Sequence, residues 1–500
     1  MPRGQIFPSF TRLSLRHGAG LSGGDMASWG GRRHLSHFLL GLILVLCSVG
    51  CSQPPSLEDS RFNVALVVLD AARADHLGSY EYTRDTTPNA DEFASVATRY
   101  DSVISEAPFT FLATSSLFTA GSPAVTGLVG RTGGIVPASL ELIAETAKEN
   151  GFGTYAYSEN PYVTGYFGLD QGFEVFEETF PVSLLMRGEE IDPQFDSAGQ
   201  LTAILKKAAG DKSRPFFLYV HLLRPHNPYA PPSPYAGRFG SSPESRPEGE
   251  SKPLIALHSK GGPYEQDRLD SIVQLYDENL AYGDALFGGL LAELEERGLR
   301  KKTIVILTSD HGEALGDHDR ILHSNQVYDS MLRVPLIISV PGEGPSVESV
   351  SIQLADLGRG LRRYFRGEDG AVAGLTRIGF DQPTGRTLYS WTNAKTHLVA
   401  ARTNKRKLIV DARTSGVVGY YDLLADPGES VSGPLDEEGK ALLSGLLEKI
   451  RAWAGLKVRI EPAMEIDTEK RRQLEALGYV DPEEGEQTEN PRPKSDESAP

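Results

Sequence analysis

Residues Thr303–His323 read TIVILTSDHGEALGDHDRILH. The first five, Thr303 to Leu307, are β-branched or apolar and predict a buried strand. That strand runs directly into Ser309, Asp310, His311 and Gly312. A carboxylate and an imidazole at the end of a buried strand are costly unless something binds them. In open α/β sheets, ligands collect at the carboxyl ends of strands. Asp310 and His311 therefore read as candidate metal ligands, with His318 and His323 close behind. A solvated polar loop after a strand would carry the same residue types.

Other stretches have the same texture. Phe62–Leu69 (FNVALVVL) is a continuous apolar run that ends at Asp70, a second buried strand with an acid at its carboxyl end. Arg214–Leu223 (RPFFLYVHLL) is another, carrying His221 and leading into Pro225-His226-Asn227-Pro228-Tyr229. Thr154–Tyr157 and Val334–Val340 complete the buried strands, and Tyr100–Ile104 is a short one. Between them lie helical patterns: a start at Thr86–Asn89, Phe111–Gly121, Ser139–Asn150 closed by Gly151, and Tyr264–Glu296. Thr110 falls at the N-terminus of the second, where backbone N–H groups and the helix dipole favour an anion. Residues 230–263 are rich in Pro, Gly and Ser and predict a long loop. Strand–helix alternation at this scale predicts an α/β fold with a mainly parallel sheet.

The texture changes after Pro341. Leu388–Trp391, His397–Ala401, Lys405–Val410 and Val417–Tyr421 predict a small antiparallel sheet, and Glu437–Trp453 a helix. The expected organisation is a leader over 1–51, a tether over 52–60, a catalytic domain over 61–345, a C-terminal α+β subdomain with a helical tail over 346–480, and a disordered acidic tail over 481–500.

The formal charge of −17 argues against a nucleic-acid partner, which needs a basic face. Arg32 and Arg33 precede the apolar run Phe38–Leu46, which is too short to span a bilayer and suits a signal-peptide core. Met26 is a second candidate start. The junction Ser48-Val49-Gly50-Cys51 resembles a bacterial lipoprotein cleavage site, with Cys51 as the acylated residue; an ordinary secretory signal is the alternative. The expectation is an exported cell-envelope protein held at the membrane through Cys51. Both cysteines of the chain, Cys47 and Cys51, lie at this junction, which leaves no disulfide and no thiol nucleophile beyond it.

Five of the eleven histidines fall in two stretches, His221 and His226, then His311, His318 and His323. With Asp70 and Thr110 they can meet at one edge of one sheet. A hydrolytic site needs a cation, a nucleophile and an acid for the leaving group. Asp70, Asp310 and His311 can hold one divalent ion. Thr110, if it coordinates that ion, gains a usable alkoxide. His221, His226, His318 and His323 are candidates for general acid and for anion contacts. His221 as a satisfied core residue and His318 as a solvated one remain open.

From about Asn63 to Gly342, and more weakly to Val480, these motifs resemble the sulfatase family of the alkaline-phosphatase superfamily. The resemblance rests on Asn63–Gly78 (NVALVVLDAARADHLG), Thr86–Asn89, His221 with Pro225–Tyr229, Ser309–Glu313, Arg333–Leu336, Tyr421-Asp422-Leu423, Asp426-Pro427 and Leu477–Val480. It implies a sheet with helices on both sides, a smaller C-terminal subdomain, one divalent metal and ester hydrolysis through a covalent intermediate. The chain departs from the family at the nucleophile motif, Cys/Ser-x-Pro-x-Arg. Thr110 takes the nucleophile position, Leu112 stands in place of Pro and Thr114 in place of Arg, so formylglycine cannot form. Ala71 follows Asp70 where many members have a second acid, His311 replaces a common Asn, and His323 stands about where many have Lys. Asp, Thr, Asp and His are instead similar to the superfamily's Thr-using phosphotransferases. The ligands at Asp70, Thr110, Asp310 and His311 favour Mn or Zn, with Ca possible in principle. The expected activity is hydrolysis or transfer of a phosphate, phosphonate or related ester, on a small molecule, glycan or lipid headgroup, through Thr110 with His221, His226 and His323. Sulfate-ester hydrolysis is one alternative. A non-catalytic anion-binding relative in the cell envelope is another, motivated by the missing Arg at 114.

Overall fold

The computed structural model describes residues 61–128, 135–179, 196–242, 246–379, 385–392 and 397–454. The expected leader, tether, Cys51 anchor and acidic tail lie outside them.

The large sheet has eight described strands: β1 (Asn63–Leu69), β2 (Thr98–Tyr100), β3 (Gly153–Ser158), β4 (Val175–Glu178), β5 (Phe216–Leu222), β6 (Thr303–Thr308), β7 (Leu336–Ser339) and β8 (Ser346–Glu348). Their spatial order is β8-β2-β7-β6-β1-β5-β3-β4. β1 pairs in parallel with β5 on one side and β6 on the other, so that Val68 faces both His221 and Thr308 across the ladders. β3 continues the parallel array beside β5. β7 runs antiparallel to β6 and β2. The sheet is therefore mainly parallel, as its uninterrupted apolar strands predict.

Alternation along the central strands serves two cores. Val64, Leu66 and Val68 of β1 and Ile304 and Ile306 of β6 enter one apolar cluster. Ala65, Val67 and Leu69, with Val305 and Leu307, enter the other. Helices cover both faces: α1 (Pro88–Ala94), α2 (Thr110–Thr119), α3 (Ile143–Glu149), α4 (Ser197–Ala208), α5 (Ser251–Lys260), α6 (Gln266–Glu296) and α7 (Leu354–Phe365). α2, α3 and α7 pack in the first cluster. α1, α4, α5 and α6 pack in the second. A side chain at Gly358 of α7 would overlap the Leu117 carbonyl of α2, so that glycine sets the close crossing of the two helices.

The C-terminal sheet consists of β9 (Leu388–Trp391), β10 (Leu398–Arg402), β11 (Arg406–Asp411) and β12 (Gly416–Asp422), antiparallel in chain order. One face carries Trp391, Val399, Leu408 and Tyr420 beneath Leu446 of α8 (Glu437–Ala454). The other packs Leu388, Ala400, Ile409 and Tyr421 against Ile104, Val327 and Leu332.

Several sequence expectations change. The boundary at 345 falls inside the larger body, because β8 joins its sheet and α7 packs on α2. The long loop expected over 230–263 contains α5, held by Leu254 and Leu257 in the second core. Tyr100–Ile104 divides, with Val103–Ile104 pairing to Arg333–Val334 in a separate small sheet. The helix expected from Ser139 begins at Ile143.

Candidate active site

Asp70, His221 and Asp310 reach the same sheet edge because β1, β5 and β6 are parallel neighbours ending at one level. β3, next in line, delivers Asn160 just past its own end. α2 brings Thr110 to the same place on its first residue. All these side chains are buried, Asp70, His221 and His311 completely so.

Asp310 Oδ1 accepts from the backbone N–H of Ala71 (3.1 Å) and of His311 (2.9 Å). Asp70 Oδ2 accepts from the Asn160 amide and from His221 Nε2 at 3.1 Å. The other oxygen of each carboxylate, Asp70 Oδ1 and Asp310 Oδ2, is buried without a hydrogen-bond partner among the described residues. His311 donates Nδ1–H to the Gly312 carbonyl (2.8 Å), which leaves Nε2 as the acceptor nitrogen of the neutral ring. Ligand atoms of Asp70, Asp310 and His311 lie within 4.8 Å of one another. Two orphaned carboxylate oxygens and one imidazole nitrogen at that spacing fit a divalent cation, since a buried acceptor with no donor otherwise carries its full desolvation cost. The chain holds this segment tightly: Gly312 and Glu313 donate to the Met331 and Ser330 carbonyls, and a side chain at Gly312 would overlap the backbone carbonyl of Ser330.

Thr110 Oγ1 lies 3.2 Å from His311 Nε2 and 3.4 Å from Asn160 Nδ2. Its hydroxyl thus faces the cation ligands from the N-terminus of α2.

The imidazoles divide into two kinds. His226 and His323 resemble His311 in donating Nδ1–H to a fixed acceptor, the Asn227 carbonyl (2.7 Å) and Glu313 Oε1 (2.9 Å). The His323 ring lies 4.3 Å from that of His311 and 4.9 Å from that of His226. His221 differs: Tyr219 O–H engages Nδ1 at 2.7 Å while Nε2 engages Asp70, so both ring nitrogens are committed. His318 lies apart from this group, stacked on Tyr328 at 3.5 Å in a polar cavity of about 360 Å³ with Arg73, Arg333 and Arg402.

Electrostatics follow the geometry. Burial pushes the Asp70 carboxyl up, but the nearby His226, the His221 hydrogen bond and His311 outweigh it and hold the group ionised. Burial lowers His311, and the Asp310 and Asp70 charges more than restore it. Burial dominates at His226 and His323, which both fall below the ordinary imidazole value. Burial lifts Glu313 to about 7 despite His226 and His311.

The structure brings together Asp70, Thr110, His221, His226, Asp310, His311 and His323, and leaves His318 outside. Sequence reading missed Asn160, Tyr219 and Glu313. Asn160 gave only the weak signal of an amide after a predicted strand.

A mainly parallel sheet between two helical layers, with a buried Asp–Asp–His cluster and a hydroxyl at the carboxyl edge of its parallel strands, matches the sulfatase/alkaline-phosphatase fold. The family model for sulfatases matches residues 63–362, and the chain belongs to that family. Bovine arylsulfatase K is 28% identical over 368 residues, 60% of this chain and 66% of the relative. Human iduronate 2-sulfatase is 25% identical over 369 residues, 63% of this chain and 66% of the relative. The chain thus spans just under two thirds of the length of these curated relatives. Among solved structures, the phosphonate monoester hydrolase of Agrobacterium radiobacter superposes with a TM-score of 0.61 at 20% identity, covering 80% of this chain and 96% of that one. That likeness is one of fold.

Proposed function

We propose that this protein is a metal-dependent hydrolase or transferase of phosphate or phosphonate esters, with Thr110 as nucleophile. The observation that carries the reading is the Thr110 hydroxyl, 3.2 Å from His311 Nε2 and beside two orphaned carboxylate oxygens. Asp70, Asp310, His311 and Thr110 would hold the cation, for which an imidazole among the oxygens favours Mn or Zn over Ca. When bound, a divalent cation supplies Lewis-acid charge to the nucleophile and to an ester oxygen. The N-terminus of α2 presents backbone N–H groups to a tetrahedral anion. His226 and His323, each held in one tautomer, move protons to and from the leaving oxygen, while His221 supports Asp70 from behind. Burial favours their neutral form, so the proton handed to the leaving group is one gained from Thr110, not one stored at rest.

The ester type follows from Thr110 having a single hydroxyl. A sulfated or phosphorylated threonine must be cleared by water, and phosphoryl centres accept in-line attack by water with charge stabilisation. A second reading, sulfate-ester hydrolysis, is favoured by the sulfatases among the relatives. We also propose export and anchorage through Cys51, supported by the leader sequence; among the described residues no helix is long and apolar enough to cross a membrane.

Turnover of aryl phosphodiesters, phosphonate monoesters and sulfates with added Mn, Zn or Ca tests the assignment. Thr110→Ser is expected to retain part of the activity and Thr110→Ala to lose on the order of 10³-fold or more. Near-wild-type turnover by Thr110→Ala would remove Thr110 as nucleophile. Sulfates cleaved much faster than phosphorus esters would select the second reading.

A further inference from the structure

We infer that Asn160 is a catalytic residue whose amide N–H stabilises the Thr110 oxygen as a leaving group, so that it acts chiefly in breakdown of the covalent intermediate. The inference rests on the proposed nucleophilic role of Thr110.

Three contacts define the amide. Asn160 Oδ1 accepts from the Tyr162 backbone N–H at 2.7 Å. That bond orients the side chain and leaves Nδ2 as the group facing the site. Nδ2 then donates one hydrogen to Asp70 Oδ2 and lies 3.4 Å from Thr110 Oγ1 with the other. The residue is 1% exposed. Ser158 Oγ accepts the Asn160 N–H at 3.2 Å, which pins the backbone as well. A donor fixed by the backbone on one side and aimed at the reacting oxygen on the other is preorganised for charge that appears there.

The direction of the effect follows from the two half-reactions. Before the first, the His226–His323 pair takes the Thr110 proton; Oγ1 then bonds to phosphorus, the bond to the leaving oxygen breaks, and the pair delivers that proton to the departing alcohol. In the second, a water oxygen bonds to phosphorus and the bond to Oγ1 breaks; the same pair takes a proton from water and returns one to Oγ1. Negative charge leaves Oγ1 in the first step and develops on it in the second. An N–H donor stabilises a developing alkoxide by a charge-assisted bond roughly twice as strong as a neutral one. In the first step the same bond stabilises the starting alkoxide, which offsets its help. Loss of the donor therefore slows the second step more. Deleting one such donor costs about 10²–10³-fold in the step it serves. A threonine ester has no second hydroxyl through which to collapse, so this step is where help is needed.

The experiment is single-turnover hydrolysis of an aryl phosphonate monoester by the full chain loaded with Mn or Zn. Release of the aryl alcohol reports formation, and intact-protein mass spectrometry after acid quench reports the adduct on Thr110. Asn160→Ala is expected to give a burst of alcohol and an adduct that persists on the order of 10²-fold longer than in wild type. Asn160→Asp keeps the acceptor for Tyr162 and removes the donor, so a folded Asn160→Asp that also accumulates adduct separates the donor from simple misfolding. Cation affinity by calorimetry separates an effect through Asp70. Equal slowing of both steps, or weakened cation binding with no adduct in either variant, overturns the inference while leaving Thr110 as nucleophile. An adduct mapped to another residue overturns both.

Discussion

The carboxylate of Asp310 has two effects of opposite sign, and Asp310→Asn separates them. Without a cation, Asp310 and Asp70 are two buried carboxylates whose ligand atoms lie within 4.8 Å. Unit charges of like sign at that distance repel by about 3 kcal/mol at an effective dielectric constant of about 20. Other groups offset part of this: Asn160 and His221 on Asp70, the Ala71 and His311 N–H groups on Asp310, and the His311 ring, whose Nε2 lies 3.5 Å from Asp310 Oδ2 and 3.8 Å from Asp70 Oδ1. A net relief of about 1–3 kcal/mol remains for the amide, which keeps the acceptor for both backbone donors and turns its NH₂ toward the unpartnered side. Cation-free Asp310→Asn is therefore expected to melt a few degrees above cation-free wild type.

With a cation the order reverses. Wild type gains about 2.7 kcal/mol at a free ion concentration of about 100 times Kd. Removing one partner of a buried charge pair costs about 3–5 kcal/mol, or on the order of 10²–10⁴-fold in affinity, so the variant gains little at the same concentration. The two melting temperatures cross along a Mn or Zn titration that starts in chelator, and calorimetric titration gives the affinities directly. A variant that melts below wild type in chelator and still gains the full cation shift would show that Asp310 is a structural acid and not a ligand.

Glu106 gives a pH test that does not involve the cation ligands' own titration. It is fully buried, accepts from Ala355 N at 2.9 Å through Oε1, leaves Oε2 without a partner, and is lifted by burial from 4.5 to about 8. Folding then binds its proton more tightly than the unfolded chain does; this contribution is complete below pH 4.5 and is lost as pH rises through about 8. Glu106→Gln is expected to remove that slope and to stabilise the protein by a few kcal/mol near pH 8, read from urea melts across the range; parallel pH profiles for the two proteins would contradict it. For the anchor, Cys51→Ser is expected to move the protein from the membrane to the soluble fraction, and unchanged partitioning would count against lipidation.

The strands that carry the site were legible because burial on both faces leaves β1, β5 and β6 as unbroken apolar runs. Each run ends in a polar residue that only a site explains. β8 was not legible: it is an edge strand with Val347 57% exposed, so no apolar run marks it. α5 was hidden for the opposite reason, since its Leu254 and Leu257 are buried only by contact with the second core. Among site residues, Asn160 and Glu313 read as loop polar groups. An amide after a strand and an acid in a glycine-containing turn are ordinary in isolation, and only the tertiary partners Asp70 and His323 distinguish them.

His221 shows how far residue type alone carries a functional argument. Its position near the end of a buried strand fits a leaving-group acid and a buried support equally well. The choice lies in which atoms reach it: Tyr219 O–H on one nitrogen and the Asp70 carboxylate on the other. A ring so occupied aligns Asp70 and supplies it with a donor, as an outer partner of a metal-ligating carboxylate does. His226 and His323 each donate Nδ1–H to a fixed acceptor instead. The same residue type therefore serves two tasks within one site. On this reading Tyr219 and His221 determine how Asp70 presents its unpartnered oxygen, whereas His226, His323 and Asn160 manage the proton and the charge that the reaction moves.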